Sequence, residues 1–219
     1  MSLLREVLKS PYPADVLNEA FLGRASTRDR FVAAWRNMNR PRIEMGLCGI
    51  RAFRSTAEWY GGIWISSALY LRAIINGDEF DLGVASFRLV TTAGVQFIVD
   101  DFQGTATNAN FRFHGIGTGA VAEAIGDTAL GTEWAGADYT GGTRANGSQG
   151  EGAAANVYRT VGTNTKASAG TSNVTEHGIF TQAALAGGTL LDRSVFTAVP
   201  LNQNDGLQST YDFTVNAGG

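Results

Sequence analysis

The chain contains very few residues of the kinds that build most catalytic and metal centres. Its 219 residues include one cysteine and two histidines. A single cysteine excludes a disulfide within the chain and any cluster of thiolate metal ligands. Neither HExxH nor CxxC spacing is present, so a zinc site would depend on carboxylates that are far apart in the sequence. We therefore predict no metal centre and no bound cofactor.

The sequence also lacks a long apolar run. The longest uncharged stretch of this kind, from Trp59 to Leu71, ends at Arg72 and is too short to cross a bilayer. Arg5, Glu6 and Lys9 interrupt the start of the chain, where a secretory signal needs an apolar core. We expect no membrane association and no signal peptide.

Charge is scarce and unevenly divided. The formal net charge is -3 and the sequence pI is about 5.4, which argues against direct binding of nucleic acid. The first 60 residues carry ten basic and six acidic side chains, net +4, whereas the rest of the chain carries seven basic and fourteen acidic side chains, net -7. This division indicates that the two parts face different neighbours, although a solvated helical surface explains the same count.

The first sixty residues show helical spacing. Apolar stripes at residues 3–8 and 16–21 predict two short helices. A third helix is predicted from Ser26, which with Asp29 resembles a capping box, to a stop signal at residues 39–41 that contains a proline. Helices this short are marginal alone in water, so their stripes must pack either on the body of the chain or on another subunit.

The basic residues of this region are its strongest local charge feature. Arginine is favoured where one protein docks on the carboxylates of another, and tryptophan is a common anchor in such contacts. We therefore predict a partner-binding surface formed by Arg24, Arg28, Arg30, Trp35, Arg36, Arg40 and Arg42.

From about residue 80 apolar and polar residues alternate, which is typical of β-strands. The clearest strand with one buried side is predicted at residues 207–215. The remaining predictions are strands at residues 110–114, 156–161, 174–180 and 189–199, a hairpin formed by residues 85–90 and 95–99, a short helix at 121–130 and a long loop at 136–155.

Several short strands separated by turn signals predict the fold class. We expect a mainly β protein, with an antiparallel β-sandwich or jelly-roll-like body and a short N-terminal helical arm. The division is predicted near Asn76-Gly77-Asp78. Residues 1–77 would then form a basic, mainly helical docking region, and residues 78–219 the sandwich body.

The candidate reactive groups lack the partners that chemistry needs. His177 lies beside Glu176, but adjacent residues in a strand point to opposite faces and cannot form a dyad. The glycines of HGIGTGA lack the spacing and the βαβ setting of a dinucleotide-binding loop and predict a tight turn: Gly115, Gly117 and Gly119. We predict no catalytic residue and no enzymatic activity.

Six segments between residues 89 and 219 form an ordered series. They are LVTTAGVQFIVDDFQ, FRFHGIGTGAVAEAIGDTALGTE, EGAAANVYRTVGTNT, VTEHGIF, GGTLLDRSVF and DGLQSTYDFT. In this order they resemble tailed-bacteriophage virion structural proteins, whose usual form reads close to KYHGIGTGTTAEAVGDTALVTE, then ITEHGIFS and LLDRSVF. This chain departs from that form at Arg112-Phe113 and at Ala120-Val121. The resemblance implies a virion component and carries no catalytic signature.

Three hypotheses follow. In the first, the protein is a capsid cement or decoration protein of the virion, assembled in the host cytoplasm. It would be a homotrimer whose basic arm lies over the major capsid protein and whose acidic body associates with its copies. In the second, it is a tail, baseplate-adaptor or fibre-base structural protein. The third is a glycan-binding module or glycan hydrolase that uses Asp100, Asp101 and the tryptophans.

Overall fold

The computed structural model describes residues 27–88 and 90–217. The two predicted helices at residues 3–8 and 16–21, together with Arg24, lie outside these ranges. In chain order the elements are α1 (Thr27–Tyr60), β1 (Trp64–Ile75), β2 (Asp78–Arg88), α2 (Thr92–Phe102), a short 3-10 helix (Asn108–Asn110), β3 (Phe113–Gly117), β4 (Ala145–Asn146), β5 (Ser148–Glu151), β6 (Val157–Thr165), β7 (Ser172–Phe180), β8 (Leu190–Leu201) and β9 (Gly206–Asn216).

The strands of the described ranges form two antiparallel sheets that face each other. One has the order β2-β1-β9-β6-β5 and the other the order β4-β3-β7-β8. Apolar side chains from both sheets, among them Leu71, Val174, Phe196 and Leu207, meet in one buried cluster. The predicted fold class, mainly β with an antiparallel sandwich body, is confirmed.

Four of the predicted strands are confirmed. Residues 207–215 lie in β9, which is paired with β1 on one side and β6 on the other. Residues 174–180 lie in β7 and residues 190–199 lie in β8, and these two strands pair with each other. The predicted strand at 156–161 belongs to β6. Period-two patterning therefore located β9 and β6, two neighbouring strands of the five-stranded sheet.

The predicted hairpin of residues 85–90 and 95–99 is wrong, because residues 92–102 form α2. The Thr91 hydroxyl accepts a hydrogen bond from the Gly94 backbone N–H at 3.0 Å, which is an N-cap. A Cβ on Gly94 would lie 2.9 Å from the Leu191 Cα atom, so the helix begins in contact with β8. The Thr-Thr-Ala-Gly sequence is thus a helix start, which the prediction had interpreted as a turn.

The predicted helix at residues 121–130 is also wrong, because this segment is an irregular loop. Gly119 and Gly131, near its two ends, donate their backbone N–H groups to the Glu176 carboxylate on β7. The tertiary contact with a buried side chain overrides the local helical propensity. The predicted strand at 110–114 is shifted to β3, and the predicted loop at 136–155 contains β4 and β5.

The prediction that the third helix ends at residues 39–41 is wrong as well, since α1 continues through Pro41 to Tyr60. A proline removes one backbone donor and normally kinks or ends a helix. Here the turn before it is held by Asn39, whose amide donates to the Ala85 carbonyl at 2.7 Å and accepts from the Thr197 N–H at 3.0 Å. Tertiary anchoring therefore compensates for the proline.

The turn after the proline is held by close approach to the sheet. A Cβ on Gly46 would lie only 2.6 Å from the Phe87 carbonyl oxygen of β2. Glycine at this position lets the helix backbone lie directly against the strand. The helical region is consequently one long helix seated on the sandwich.

The turn at Asn76-Gly77 joins β1 to β2, and both residues have positive φ, 53° and 86°. The predicted division at residue 77 falls at this turn. Because β1 pairs with both β2 and β9, it is an inner strand of the five-stranded sheet. The sheet therefore extends across the predicted boundary.

Candidate functional site

Trp35, which was predicted at the partner-binding surface, lies on the side of α1 that faces the body. Its side chain is 1% exposed, and its indole N–H donates to the Thr197 carbonyl at 2.8 Å. The indole packs in the same buried cluster as Leu82 and Val199. Trp35 therefore anchors α1 to its own chain.

Arg36 and Arg40 lie on the outward side of α1, and each side chain is about half exposed. Arg36 donates to the Asp81 carbonyl at 2.9 Å and to the Leu82 carbonyl at 3.2 Å. Arg40 donates to the Glu44 carboxylate at 2.7 Å. An exposed ion pair such as Arg40–Glu44 contributes about 0–1 kcal/mol, so its loss would cost the protein little stability.

The other predicted arginines lie on the same helix. Arg28 and Arg30 are exposed and Arg42 is partly exposed, and the Arg28 guanidinium lies 5.6 Å from the centre of the Phe80 ring. Residues 27–60 contain seven arginines and three acidic residues, so α1 carries a net charge of +4. The structure thus places five of the predicted basic residues on one long helix.

Arg51 and Arg54 belong to the same basic helix, although they were absent from the predicted surface. Both are exposed near the end of α1. The sequence-based prediction ended the helix at residues 39–41, so it placed no helix around Arg51 and Arg54. Their spacing of three residues, typical of one helix face, is the signal that would have found them.

A buried histidine bridge joins the two sheets. The Nδ1 atom of His114 on β3 lies 3.0 Å from the Nε2 atom of His177 on β7. His114 Nε2 lies 3.0 Å from the hydroxyl oxygen of Thr160 on β6, which belongs to the opposite sheet. All three residues are 0% exposed. No sequence spacing predicts this bridge, because its members are up to 63 residues apart and meet only through sheet pairing.

Burial keeps both histidines neutral. It lowers the pKa of His114 to about 3. The pKa of His177 is well below its usual value, because of burial first and the neighbouring His114 second. A neutral imidazole has one donor and one acceptor nitrogen, so two of them and a hydroxyl form a chain of hydrogen bonds. The bridge is therefore a polar link between the sheets that is closed to solvent.

Replacing Gly162 with alanine is expected to destabilise the protein by roughly 1–3 kcal/mol, because the new Cβ would crowd the histidine bridge. It would lie 2.5 Å from His114 Cδ2 and 2.8 Å from Cγ. Urea denaturation measures the loss. Gly150→Ala is the matched control in the same sheet, since nothing lies within 4 Å of its added Cβ. Equal stability of the two variants would contradict the described packing.

Glu176, the neighbour of His177, has a separate set of partners. Its carboxylate is 0% exposed and accepts from the backbone N–H groups of Gly119 at 2.9 Å, Gly131 at 2.8 Å and Thr132 at 2.7 Å. It also accepts from Arg193 Nε at 2.9 Å. The prediction that Glu176 and His177 do not form a dyad is confirmed, and Glu176 instead holds the loop of residues 118–132 on β7.

The glycines of HGIGTGA do not form the predicted tight turn. Gly115 and Gly117 lie within β3, and Gly119 follows it. A Cβ on Gly119 would lie 2.5 Å from Glu176 Oε1 and 2.7 Å from its Cδ. Glycine is needed at this position because the carboxylate occupies the space that a side chain would fill.

The groups proposed for glycan chemistry have structural partners. Asp100 and Asp101 lie on α2, where Asp100 accepts from the Gln96 amide at 2.8 Å and Asp101 accepts from the Asn108 amide at 2.9 Å. Trp35 and Trp134 are buried in the core, so neither offers an exposed ring to a sugar. These contacts favour structural roles for all four residues.

The described residues provide neither a cluster of metal ligands nor a helix that could span a membrane. Over residues 27–88 and 90–217, no three His, Cys, Asp or Glu side chains are grouped so that they could hold a metal ion. No helix of the described ranges is long and apolar enough to cross a membrane. Comparison of the chain with protein-family models, with curated proteins and with solved structures finds no match.

Proposed function

We propose that this protein is a non-enzymatic structural component of a bacteriophage virion, a cement protein that binds the shell of major capsid protein through the arginines of α1. The division of charge supports the proposal most directly. A helix with a net charge of +4 lies on the surface of a body whose residues 61–219 carry -7. The resemblance of residues 89–219 to virion structural proteins points in the same direction.

The chemistry of the outward arginines suits docking on an acidic protein surface. A guanidinium can bind a carboxylate through two parallel hydrogen bonds, which adds geometric specificity to the attraction. Arg40 and Arg54 are exposed on α1, and Arg36 is half exposed beside them. Complementary charge chiefly increases the rate of association and selects the partner.

Repetition would turn a modest contact into stable reinforcement. Each buried Å² of apolar surface contributes about 25 cal/mol, and a shell repeats its binding site many times. An oligomer that engages several of these sites at once gains further affinity from high effective concentration. This mechanism requires burial and charge complementarity, and it requires no reaction.

Reversing two outward charges tests the proposal. In Arg40→Glu/Arg54→Glu, binding to capsids that lack this protein is expected to fall at least about tenfold per reversed charge, because like charges then oppose each other. Cosedimentation measures binding, and thermal rupture of the shell measures reinforcement. The expected gain in rupture temperature with the unaltered protein is lost with the variant.

Arg72→Glu is the matched control. Arg72 lies on β1, is partly exposed and pairs with Glu79, as Arg40 pairs with Glu44, but it is outside α1. Equal binding of both variants would overturn the proposed role of α1. Binding of the unaltered protein to isolated tails and not to capsids would favour the hypothesis that the protein is a structural component of the tail.

A further inference from the structure

Exposed large apolar side chains of the described residues are concentrated in two places. Seven of the nine such side chains fall into two groups, one on α1 and one on and beside α2. Large apolar side chains scattered singly over a surface are ordinary, whereas contiguous groups mark interaction sites. The two groups therefore indicate two contact surfaces.

The first surface is an apolar strip along α1, which we call the methionine seam. Its members are exposed and are separated by four, three, four and three residues: Ala34, Met38, Pro41, Met45 and Cys48. Met38 and Met45 are 61% and 62% exposed. At about 100° per residue these five positions share a strip about 80° wide. Alternation of three and four is typical of a helix face that contacts another helix.

The methionine seam is separate from the other two sides of α1. The middle of the strip lies about 120° around the helix axis from the body-facing residues Trp35, Asn39 and Gly46. It lies about as far, in the other direction, from Arg40. A partner can therefore occupy the seam while Arg36, Arg40 and Arg54, which lie on the side of Arg40, remain accessible for shell binding.

The second surface lies on and beside α2, and we call it the acidic apolar surface. Val95, Val99 and Phe102 are spaced i, i+4, i+7 and point away from the body, with Phe102 85% exposed. Val121 and Ile125 of the adjoining loop are also exposed, and the Thr92 N–H donates to the Ile125 carbonyl at 2.8 Å. Residues 92–127 contain four acidic and one basic residue, a net charge of -3.

The signs of charge decide which surfaces can meet. Contact between the α1 helices of two copies would oppose two net charges of +4. Contact between the seam of one copy and the acidic apolar surface of another joins opposite charges as well as apolar groups. Arg30 lies at one edge of the seam, at the same angle as Cys48, and Arg42 lies beyond the opposite edge. These would face the carboxylates beside α2.

We propose that the methionine seam of one copy binds the acidic apolar surface of a second copy of this chain. Because the two surfaces differ, the contact is heterologous, and its repetition produces a closed ring or an open chain. The inference does not depend on shell binding. It assigns the expected homo-oligomer a specific interface, and three copies form a ring if the rotation between neighbours closes.

Complementary surface variants test the interface with purified full-length protein and without capsids. Met45→Asp places a charge in the middle of the methionine seam, and Phe102→Asp places a charge in the acidic apolar surface. Each substitution is intended to disable one surface and leave the other intact. Each variant alone is expected to weaken self-association at least about tenfold, because a charge then opposes an apolar anchor. Light scattering coupled to size-exclusion chromatography measures the mass. Ile63→Asp, at a 74% exposed apolar residue outside both surfaces, is the matched control and should assemble normally.

Mixing the two variants gives the decisive result. Met45→Asp still offers an intact acidic apolar surface, and Phe102→Asp still offers an intact seam. An equimolar mixture is therefore expected to form a heterodimer that cannot extend further.

Three results would overturn the inference: a monomeric unaltered protein at high concentration, a mixture that stays monomeric, or loss of assembly in Met45→Asp but not in Phe102→Asp. The last result would indicate contact between two α1 helices. None of these outcomes bears on binding of the Arg40→Glu/Arg54→Glu variant to capsids, so the two proposals fail independently.

Discussion

Replacing Glu176 with alanine is expected to lower the free energy of unfolding by roughly 3–5 kcal/mol, the cost of removing one partner from a buried ion pair. The Arg193 side chain is 4% exposed and would keep Asp127, at 3.0 Å, as its remaining carboxylate partner. The N–H groups of Gly119, Gly131 and Thr132 would lose their acceptor at the same time. Urea denaturation followed by tryptophan fluorescence measures the change.

The matched control for this variant is Glu151→Ala. Glu151 is exposed on β5, and its replacement is expected to change stability by about 0.5 kcal/mol or less. Amide hydrogen exchange adds a local measurement, because the three loop N–H groups should exchange faster in Glu176→Ala. A loss below about 1 kcal/mol would show that the carboxylate does not hold the loop.

Lowering the pH from 7 to 5 is expected to destabilise the protein by about 2 kcal/mol through His114 alone. The folded pKa of His114 is about 3, whereas the unfolded chain has the ordinary value of 6.5. Between these values the unfolded state binds a proton that the folded state excludes, so stability is full above pH 6.5 and falls as the pH falls toward 3. The lowered pKa of His177 adds to the effect with the same sign.

The unfolding free energy from urea titrations between pH 5 and pH 8 measures this dependence. Its slope against pH counts the protons taken up on unfolding and does not depend on the overall stability of a variant. His177→Gln, which cannot titrate, should therefore show a shallower slope than the unaltered protein. An identical slope in both proteins, or no slope below pH 6.5, would contradict a buried neutral histidine bridge.

The histidine bridge explains why acid should loosen the sandwich in particular. His114 belongs to the four-stranded sheet and Thr160 to the five-stranded sheet, and they meet in the interior. Gly147 and Gly162 leave the space that the His114 ring occupies, as a Cβ on either would lie within 2.7 Å of the ring. A charged imidazole would have no carboxylate in this hydrogen-bonded chain to compensate it, so protonation favours separation of the sheets.

How far the sequence predicted the fold depends on the kind of signal. The strand at residues 207–215 was found because alternate positions along it differ in polarity. The strand at residues 189–199 was found because its apolar residues fall on both faces, which is typical of a strand buried on both sides. The hairpin predicted around Thr91 to Gly94 was wrong. The same four residues can start a helix, and contact of Gly94 with Leu191 selects that outcome.

The candidate site shows the same limit. The sequence indicated a basic N-terminal region, and five of its predicted arginines lie on α1. The prediction could not extend the helix beyond Pro41, because the hydrogen bonds from Asn39 to β2 and β8 that hold the helix there come from residues far away in the chain. For the same reason it placed Trp35 at a partner surface, although Trp35 is buried in its own chain.

The sequence by itself determined the class of fold and the division of charge, because hydrophobic periodicity and composition are local properties that no folding step alters. Only the tertiary structure decided which side chains meet. The pairing of His114 with His177, the partners of Glu176, the length of α1 and the two exposed apolar surfaces all depend on contacts between residues distant along the chain. The free energy of such contacts outweighs local propensity. Because the contacting residues are far apart along the chain, no spacing pattern in the sequence reveals the contacts.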